Sequence, residues 1–153
     1  MSATADAIKK RYLDWPEIAA LVDSLAAKLP RTFDALLVIT RGGMVPGGLL
    51  SEKLDIRNVL VAAVQFYTGI GETLDQPIFF QFPADPILYG KRILVVDDIW
   101  DSGRTAVAVK ERVQDAGGVP VVAVLQWKPR RSRYPAHQPD YYAEETDDWI
   151  VYP

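Results

Sequence analysis

The chain has 153 residues, of which 49% are hydrophobic, 24% charged and 10% aromatic, a composition that supports one compact domain and excludes extensive disorder. Seventeen basic and 20 acidic residues give a net charge of -3, which excludes the positive field of a non-specific nucleic-acid binder. The sequence has no cysteine and no apolar run near the roughly 20 residues of a membrane-spanning helix. We therefore expect one cytoplasmic domain, residues 1–153, without a membrane or nucleic-acid partner.

The N-terminal region predicts a short arm followed by a helix. Residues 1–12 lack the apolar middle region of a secretory signal, and we expect them to form a mobile arm. Asp14 and Glu17 then have the spacing of a capping box, and apolar residues recur at helical spacing until Pro30. This pattern is typical of an amphipathic helix that covers a sheet.

A first strand–helix–strand unit follows this helix. Ala35–Ile39 is a continuous apolar run typical of a strand buried on both faces, residues 46–54 predict a short helix, and residues 57–66 predict a second strand. Residues 67–77 contain glycines and acids without apolar periodicity, so we expect a loop there, before a flanking strand at residues 78–82. Strands joined through a helix pair in parallel.

A second unit of the same kind completes the predicted sheet. Residues 93–96 predict a buried strand, residues 104–116 a helix and residues 119–125 another strand, whereas residues 128–153 predict an irregular segment with short extended pieces. Repeated units of this kind predict an α/β fold with a mostly parallel sheet and helices on both faces. Ligands of such sheets bind beyond the carboxyl ends of the strands.

The most informative segment begins at the end of the third predicted strand. Two adjacent carboxylates, Asp97 and Asp98, are followed by a turn with Ser102 and Gly103, which opens a helix. The first N–H groups of a helix and nearby hydroxyls favour a phosphate group, while paired carboxylates would repel a bare phosphate. The carboxylates suit the hydroxyls of a sugar phosphate or a magnesium ion. The segment therefore predicts a site for a phosphorylated sugar.

Residues 97–105 resemble the phosphoribosyl pyrophosphate (PRPP) signature of the type I phosphoribosyltransferases. Three further segments resemble the short 6-oxopurine members, the xanthine-guanine and hypoxanthine phosphoribosyltransferases, in the same chain order. Residues 40–46 resemble their pyrophosphate loop, residues 127–129 their base-recognition segment and residues 148–150 their base-stacking segment. The resemblance implies the fold of that family, with a small C-terminal hood over the base formed by residues 128–153.

The resemblance also implies which residues hold PRPP. Asp97 and Asp98 are expected to face the ribose hydroxyls, and Asp98 is the expected ligand of Mg²⁺, the implied cofactor. Arg41 and Gly42 are expected to contact the pyrophosphate. The residues expected to hold the 5-phosphate are Ser102, Gly103, Arg104 and Thr105.

Four residues are implied for the purine base. Asp101 is expected near N7 as the general acid and base, since a carboxylate can take the N7 proton while N9 bonds to the sugar. Lys128 is expected to bind the 6-oxo oxygen, and Trp149 to stack on the purine. Ile150 is expected to contribute main-chain contacts. The implied reaction is transfer of the 5-phosphoribosyl group from PRPP to N9 of guanine, xanthine or hypoxanthine, in purine salvage.

One feature of the sequence keeps an alternative function open. Residues 67–76, at the position of the mobile catalytic loop of the family, contain Glu72 and Asp75 but no Lys or Arg. This favours a regulatory homologue that senses PRPP or a nucleotide with little catalysis.

The resemblance further implies a homodimer or homotetramer, in which an exposed Trp100 or the basic residues 128–133 would serve as an interface.

Overall fold

A computed structural model describes residues 8–67 and 76–153 of the chain as eight strands and four helices. The prediction of a loop at residues 67–77 falls largely on residues 68–75, which lie outside the described residues. The elements are β1 (Lys10–Tyr12), α1 (Trp15–Lys28), β2 (Ala35–Ile39), α2 (Met44–Leu54), β3 (Val59–Tyr67), β4 (Gln76–Gln81), α3 (Asp85–Leu88), β5 (Arg92–Trp100), α4 (Arg104–Asp115), β6 (Val119–Trp127), β7 (Tyr141–Glu145) and β8 (Trp149–Val151).

The centre of the molecule is a six-stranded sheet in the order β4-β3-β2-β5-β6-β7. All neighbouring strands are parallel except β4, which pairs antiparallel with β3 at one edge. The central strand β2 is apolar and buried at every position, as expected for a strand covered on both faces. The prediction of an α/β fold with a mostly parallel sheet is confirmed.

Helices cover both faces of the sheet. On one face, Val22 and Leu25 of α1 pack with Leu36 and Val38 of β2. On the other face, the buried residues of α4 pack with the alternate residues of β2 and β5. None of the helices within residues 8–67 and 76–153 has both the length and the apolar character needed to cross a bilayer.

The capping box of α1 forms as its sequence predicts. The Asp14 carboxylate accepts the Glu17 N–H at 2.9 Å, and the Glu17 carboxylate accepts the Asp14 N–H at 3.3 Å. Each contact satisfies a backbone donor that the first turn of a helix leaves unpaired. The first turn of α1 is therefore stabilised by its own capping residues.

The expected N-terminal arm differs from the structure in its last residues. Lys10–Tyr12 forms β1, which pairs in parallel with β8 as a separate two-stranded sheet. The arm was expected to be mobile because its sequence is rich in Ala and Thr and lacks the apolar middle region of a secretory signal. The pairing with Trp149–Val151, about 140 positions later, supplies the missing backbone partners. Residues 1–7 lie outside the described part of the chain.

The C-terminal region is also more regular than its sequence predicts. Tyr141–Glu145 forms β7 and extends the main sheet next to β6, although its composition gives no strand pattern of alternating apolar residues. Tyr141 and Tyr142 each pack against one of the two core clusters, which supplies burial on both faces of this edge strand. Residues 128–153 are therefore built around two strands joined by loops.

Candidate active site

Three neighbouring strands bring the predicted motifs to one edge of the sheet. β5 lies between β2 and β6, and all three are parallel, so their carboxyl ends meet. Residues 40–43 follow β2, residues 101–103 follow β5, and Lys128 follows β6. This edge is where ligands bind in open parallel sheets.

The loop after β2 lies directly against one carboxylate of the acid pair. A Cβ atom added to Gly42 would collide with the Asp98 carboxylate, and one added to Gly43 would collide with the carbonyl oxygens of Val96 and Ile39. The Gly43 N–H donates to the Ile39 carbonyl at 2.8 Å, and the Thr40–Arg41 peptide bond is cis. The absence of side chains at both glycines therefore permits the loop to approach β5.

The turn after β5 is equally compact. Gly103 has a φ of 85°, a left-handed conformation that glycine adopts without steric cost, and an added Cβ would collide with the Trp100 indole. The Ser102 hydroxyl accepts the Arg104 N–H at 3.3 Å, where α4 begins. The Arg104 guanidinium lies 4.1 Å from the centre of the Phe66 ring, at the end of β3. The turn therefore presents a helix N-terminus to the edge of the sheet.

The acid pair lies within β5 and not at its end. The sequence predicts a strand that stops at Val96, but β5 continues to Trp100 because its pairing with β6 continues to Trp127. Asp97 and Asp98 face different cavities. Asp98 lines a cavity of about 550 Å³, and Asp97 lines a smaller one of about 110 Å³.

These two cavities divide the residues expected to bind PRPP, together with Asp101 from the expected base site, into two groups. The larger cavity is lined by residues of the first turn of α1, the start of α2 and the C-terminus, among others. The smaller cavity is formed by the turn after β5 and the N-terminus of α4. The expected residues that line the larger cavity are Arg41, Gly42 and Asp98, and those that line the smaller one are Asp97, Asp101, Ser102, Gly103, Arg104 and Thr105.

Burial is the main cause of the shifted pKa in the acid pair. Loss of solvent raises the pKa of Asp97 well above its ordinary value of 3.8, and the adjacent charge of Asp98 raises it further. The Asp97 carboxylate accepts the Asp98 N–H at 2.8 Å, a contact that opposes this rise only in part. Two carboxylates held together in this way favour a positively charged or hydroxyl-bearing ligand, which relieves their repulsion.

We expect Asp97→Asn to raise the Tm of the ligand-free protein at neutral pH. The folded state holds the Asp97 proton more tightly than the unfolded chain, so the contribution of Asp97 to stability is most favourable below pH 3.8 and is lost as the pH rises through the raised pKa. Asn removes this penalty and keeps an acceptor for the Asp98 N–H. The Tm should rise by roughly 2–4 °C for each kcal/mol by which the free energy of unfolding increases. Thermal scans across pH should show that this rise in Tm becomes larger as the pH increases. A gain independent of pH would contradict this explanation.

Three residues expected at the purine base meet on the other side of the turn. Lys128 Nζ lies 3.5 Å from Asp101 Oδ2 and 5.6 Å from the centre of the Trp149 ring. The Lys128 side chain is only 3% exposed, whereas Trp149 is half-exposed. A buried ammonium needs a partner, which Asp101 and the face of Trp149 provide. The arrangement places one cation, one carboxylate and one aromatic face together.

Ile150 is buried, and its backbone polar groups do not pair with β1. The Ile150 side chain is buried in the core, while the Trp149 N–H donates to the Lys9 carbonyl and the Leu13 N–H donates to the Val151 carbonyl. Alternate residues of a strand direct their backbone groups to opposite sides, so the N–H and carbonyl of Ile150 point away from β1. This orientation leaves them for contacts outside the small sheet.

A partly buried chain of hydrogen bonds at this end of the molecule was not predicted from the sequence. The Tyr152 hydroxyl donates to Gln126 at 2.6 Å, Gln126 donates to Glu144 at 2.8 Å, and Arg11 donates to the same Glu144 oxygen at 2.8 Å. Burial, with the nearby negative Asp98, raises the pKa of Tyr152, so its hydroxyl keeps the proton that it donates. This series of hydrogen bonds connects β1, β6, β7 and the C-terminus. No local pattern reveals it, because its members are far apart in sequence.

The structure corrects the interpretation of Trp100 and shows contacts of the basic loop that the sequence did not predict. Trp100 is 1% exposed and donates its indole N–H to Ser132 at 3.2 Å, so it is a core residue and not an exposed interface residue. The positive charge of the basic loop, residues 128–133, is partly neutralised within the chain. Arg131 donates a hydrogen bond to Asp101 at 2.9 Å, and Arg130 forms a salt bridge with Asp147 at 3.1 Å. The contact between Arg131 and Asp101 was missed, because an arginine in a basic loop is more often a solvated residue.

Comparison with known proteins assigns the chain to a family. A model of the phosphoribosyl transferase domain matches residues 9–153. The chain belongs to the phosphoribosyl transferase domain family. The family prediction made from residues 97–105 is therefore confirmed. A xanthine-guanine phosphoribosyltransferase from Roseobacter denitrificans is 32% identical over 152 residues, which cover 93% of this chain and 83% of that protein.

Solved structures of phosphoribosyltransferases and related proteins share the whole fold. A purine phosphoribosyltransferase from Pyrococcus horikoshii is 36% identical, with a TM-score of 0.82 over 94% of this chain and 93% of that one. A Neisseria gonorrhoeae protein with bound ppGpp is 26% identical, with a TM-score of 0.83 over 96% of this chain and 89% of that one. The family model spans residues 9–153, so β1 and β8, which form the small sheet, lie within the matched region.

Proposed function

We propose that the protein is a 6-oxopurine phosphoribosyltransferase of purine salvage. It transfers the 5-phosphoribosyl group of PRPP to N9 of guanine, xanthine or hypoxanthine. The bond between N9 and C1′ forms as the bond between C1′ and the pyrophosphate oxygen breaks, and the products are a nucleoside monophosphate and pyrophosphate. A similarity of about one third in sequence to named transferases over nearly the whole chain supports this reaction.

The observation that carries the proposal is the cluster of Asp101, Lys128 and Trp149 beside a phosphate-type turn. Trp149 offers a half-exposed ring for stacking on the purine, and the Lys128 ammonium can donate to the 6-oxo oxygen. Asp101, 3.5 Å from Lys128, can then accept the N7 proton as N9 bonds to the sugar. The outward N–H and carbonyl of Ile150 can contact the edge of the base.

The residues of the adjoining turn and of the loop after β2 would hold PRPP. The N-terminus of α4, with the hydroxyls of Ser102 and Thr105, suits the 5-phosphate, and Gly103 and Arg104 complete this turn. Asp97 and Asp98 would orient the ribose hydroxyls. The residues that would contact the pyrophosphate are Arg41 and Gly42, which line the larger cavity with Asp98.

The residues present fit a magnesium ion that arrives with PRPP. Within residues 8–67 and 76–153, no cluster of three or more carboxylate or imidazole groups could hold a metal ion by itself. Mg²⁺ commonly binds through one or two carboxylates and substrate phosphates, and the Asp98 carboxylate, next to the loop that would hold pyrophosphate, offers such a ligand. When bound, the ion would neutralise charge on the departing pyrophosphate.

A direct assay tests the proposal. The purified protein is incubated with PRPP, Mg²⁺ and one base at a time, and the nucleotide and pyrophosphate formed are separated by chromatography. We expect product with at least one of guanine, xanthine and hypoxanthine and none with adenine, which lacks the oxygen that Lys128 would bind. Product with adenine alone would contradict the base assignment, and no product with any base would contradict the transferase assignment.

A second candidate function is a nucleotide sensor with weak catalysis. The observations that favour it are the ppGpp bound to the similar Neisseria gonorrhoeae protein and the absence of Lys and Arg from residues 67–76. Calorimetric titration with ppGpp, alongside the assay, separates the two functions. A sensor binds ppGpp and makes no nucleotide from any base, whereas an enzyme makes product whether or not it binds ppGpp.

We further propose that the protein forms a homodimer or homotetramer in the cytoplasm. Val59 and Val61 of β3 lie on the sheet face that α2 covers, but they remain 41% and 39% exposed. Met44 and Leu49 of α2 are also exposed. An apolar strip of this kind favours association with a second copy.

The proposed location in the cytoplasm is supported by the composition. The sequence contains no cysteine, which fits a protein of a reducing compartment.

Light scattering should give a mass of two or four chains for the wild type. Val61→Glu places a charge in the apolar strip, and we expect it to shift the protein to a monomer with a circular dichroism spectrum like that of the wild type. A monomeric wild-type protein would contradict the association.

A further inference from the structure

The Asp101 carboxylate accepts contacts from two cations, and one of them has no part in the proposed reaction so far. Arg131 Nε donates to Oδ1 at 2.9 Å, whereas Lys128 Nζ lies 3.5 Å from Oδ2. The first distance is typical of a strong charge-assisted hydrogen bond, and the second is at the outer limit of one. Arg131 is therefore the firmer partner of Asp101, and the Lys128 contact is the easier one to exchange.

The loop that carries Arg131 is fixed to the turn that carries Asp101. The Arg133 N–H donates to the Ser102 carbonyl at 2.8 Å, and the buried indole of Trp100 donates to the Ser132 hydroxyl at 3.2 Å. These contacts hold the backbone immediately after Arg131 against the residues on both sides of Asp101. The arginine is thus placed by the fold, although its own side chain is half-exposed.

We propose that Arg131 is a positioning residue for Asp101 in phosphoribosyl transfer, an inference that rests on the proposed function. When the base enters, the Lys128 ammonium leaves Asp101 Oδ2 and donates to the 6-oxo oxygen of the base. Arg131 continues to donate its hydrogen bond to Asp101 Oδ1. The carboxylate plane then stays fixed with Oδ2 directed at N7. As N9 bonds to C1′ and the pyrophosphate oxygen leaves, the N7 proton passes to Oδ2.

The physical need for such a residue follows from the side chain itself. The torsion that rotates an aspartate carboxylate is soft and has broad minima, so a carboxylate with one free oxygen does not hold its plane unaided. Proton transfer requires the acceptor within hydrogen-bond reach and correctly directed. A rigid guanidinium bond on the second oxygen supplies this restraint without touching the base.

The test compares two neighbouring arginines. Arg131→Ala is expected to lower kcat about 10- to 100-fold with little change in the KM of the base or of PRPP, because binding groups remain while orientation is lost. Arg131→Lys keeps the positive charge but lacks the planar guanidinium, so its kcat should lie between those of Arg131→Ala and the wild type. The control is Arg130→Ala, which removes the same charge from an 83% exposed side chain paired with Asp147, and should leave kcat unchanged.

A double variant shows whether Arg131 acts through Asp101. Adding Arg131→Ala to Asp101→Asn should lower the single-turnover rate no further than Asp101→Asn alone. Losses that multiply, or a wild-type kcat in Arg131→Ala, would overturn the positioning role and leave the transferase assignment intact. Absence of turnover in the wild type would overturn both. Arg131→Gln, which keeps the side-chain stem, replaces Arg131→Ala if that variant does not fold.

Discussion

Asp101→Asn should reduce the turnover of guanine, xanthine or hypoxanthine by about 10²- to 10⁴-fold while leaving the binding of PRPP and nucleotide nearly unchanged. General acid and base groups contribute a factor of this size, and an amide cannot take the N7 proton. The amide has nearly the same shape as the carboxylate, and its oxygen can still accept the Arg131 guanidinium, which bonds Asp101 at 2.9 Å. The change therefore removes the chemistry without removing the site.

Two measurements and one control make this expectation specific. Single-turnover rates give the loss in the chemical step, and calorimetric titration with PRPP and with the nucleoside monophosphate gives the binding. Asp147→Asn is the matched control, because Asp147 is an exposed carboxylate in the same region that pairs with Arg130 and does not contact Asp101. Equal turnover in Asp101→Asn and the wild type would show that Asp101 does not carry the proton. Loss of nucleotide binding would show that the residue acts in the structure of the site.

The sequence predicts the central sheet well because its signals are local. β2 is a continuous apolar run, and the first parts of β5 and β6 are also apolar, so each strand is recognised without knowledge of its neighbours. The edge strands β1 and β7 were not predicted, because their backbone partners and their burial come from segments far away in the chain. Strand formation at an edge depends on that tertiary context more than on composition.

The same distinction applies to the candidate site. Residues 97–105 predict a phosphate-type turn because the strand, the acids and the helix start are consecutive. That Asp97 and Asp98 line different cavities depends on the course of β5 past both residues, which no local pattern reveals. The bond from Arg131 to Asp101 joins residues 30 positions apart, so it also emerged only from the fold.

Gly42→Ala should lower kcat/KM for PRPP by about 10²-fold, because misplacement of a binding group by about 1 Å has an effect of this size. The added Cβ would collide with the Asp98 carboxylate, so either the loop after β2 or Asp98 must move. Overpacking of this kind costs about 1–3 kcal/mol, which corresponds to a decrease in Tm of roughly 2–4 °C per kcal/mol. Steady-state kinetics and thermal scans measure the two effects.

Gly48→Ala provides the matched control for this experiment. Gly48 lies in α2, six positions later, and a Cβ added there has no atom within 4 Å. Alanine favours a helix over glycine by about 0.5–1 kcal/mol, so this variant should be slightly more stable and fully active. Equal kinetics for Gly42→Ala and Gly48→Ala would contradict a tight approach of the loop to Asp98.

A second-site change separates the steric effect from the chemical one. Asp98→Ala removes the carboxylate that the new Cβ of Gly42→Ala would meet, so the double variant should recover most of the lost Tm. It should not recover kcat/KM, because the proposed contact of Asp98 with ribose and Mg²⁺ is then absent. Recovery of both would mean that Asp98 acts only as a packing neighbour of the loop. Recovery of stability alone would identify the close approach of Gly42 to Asp98 as an arrangement that serves substrate binding.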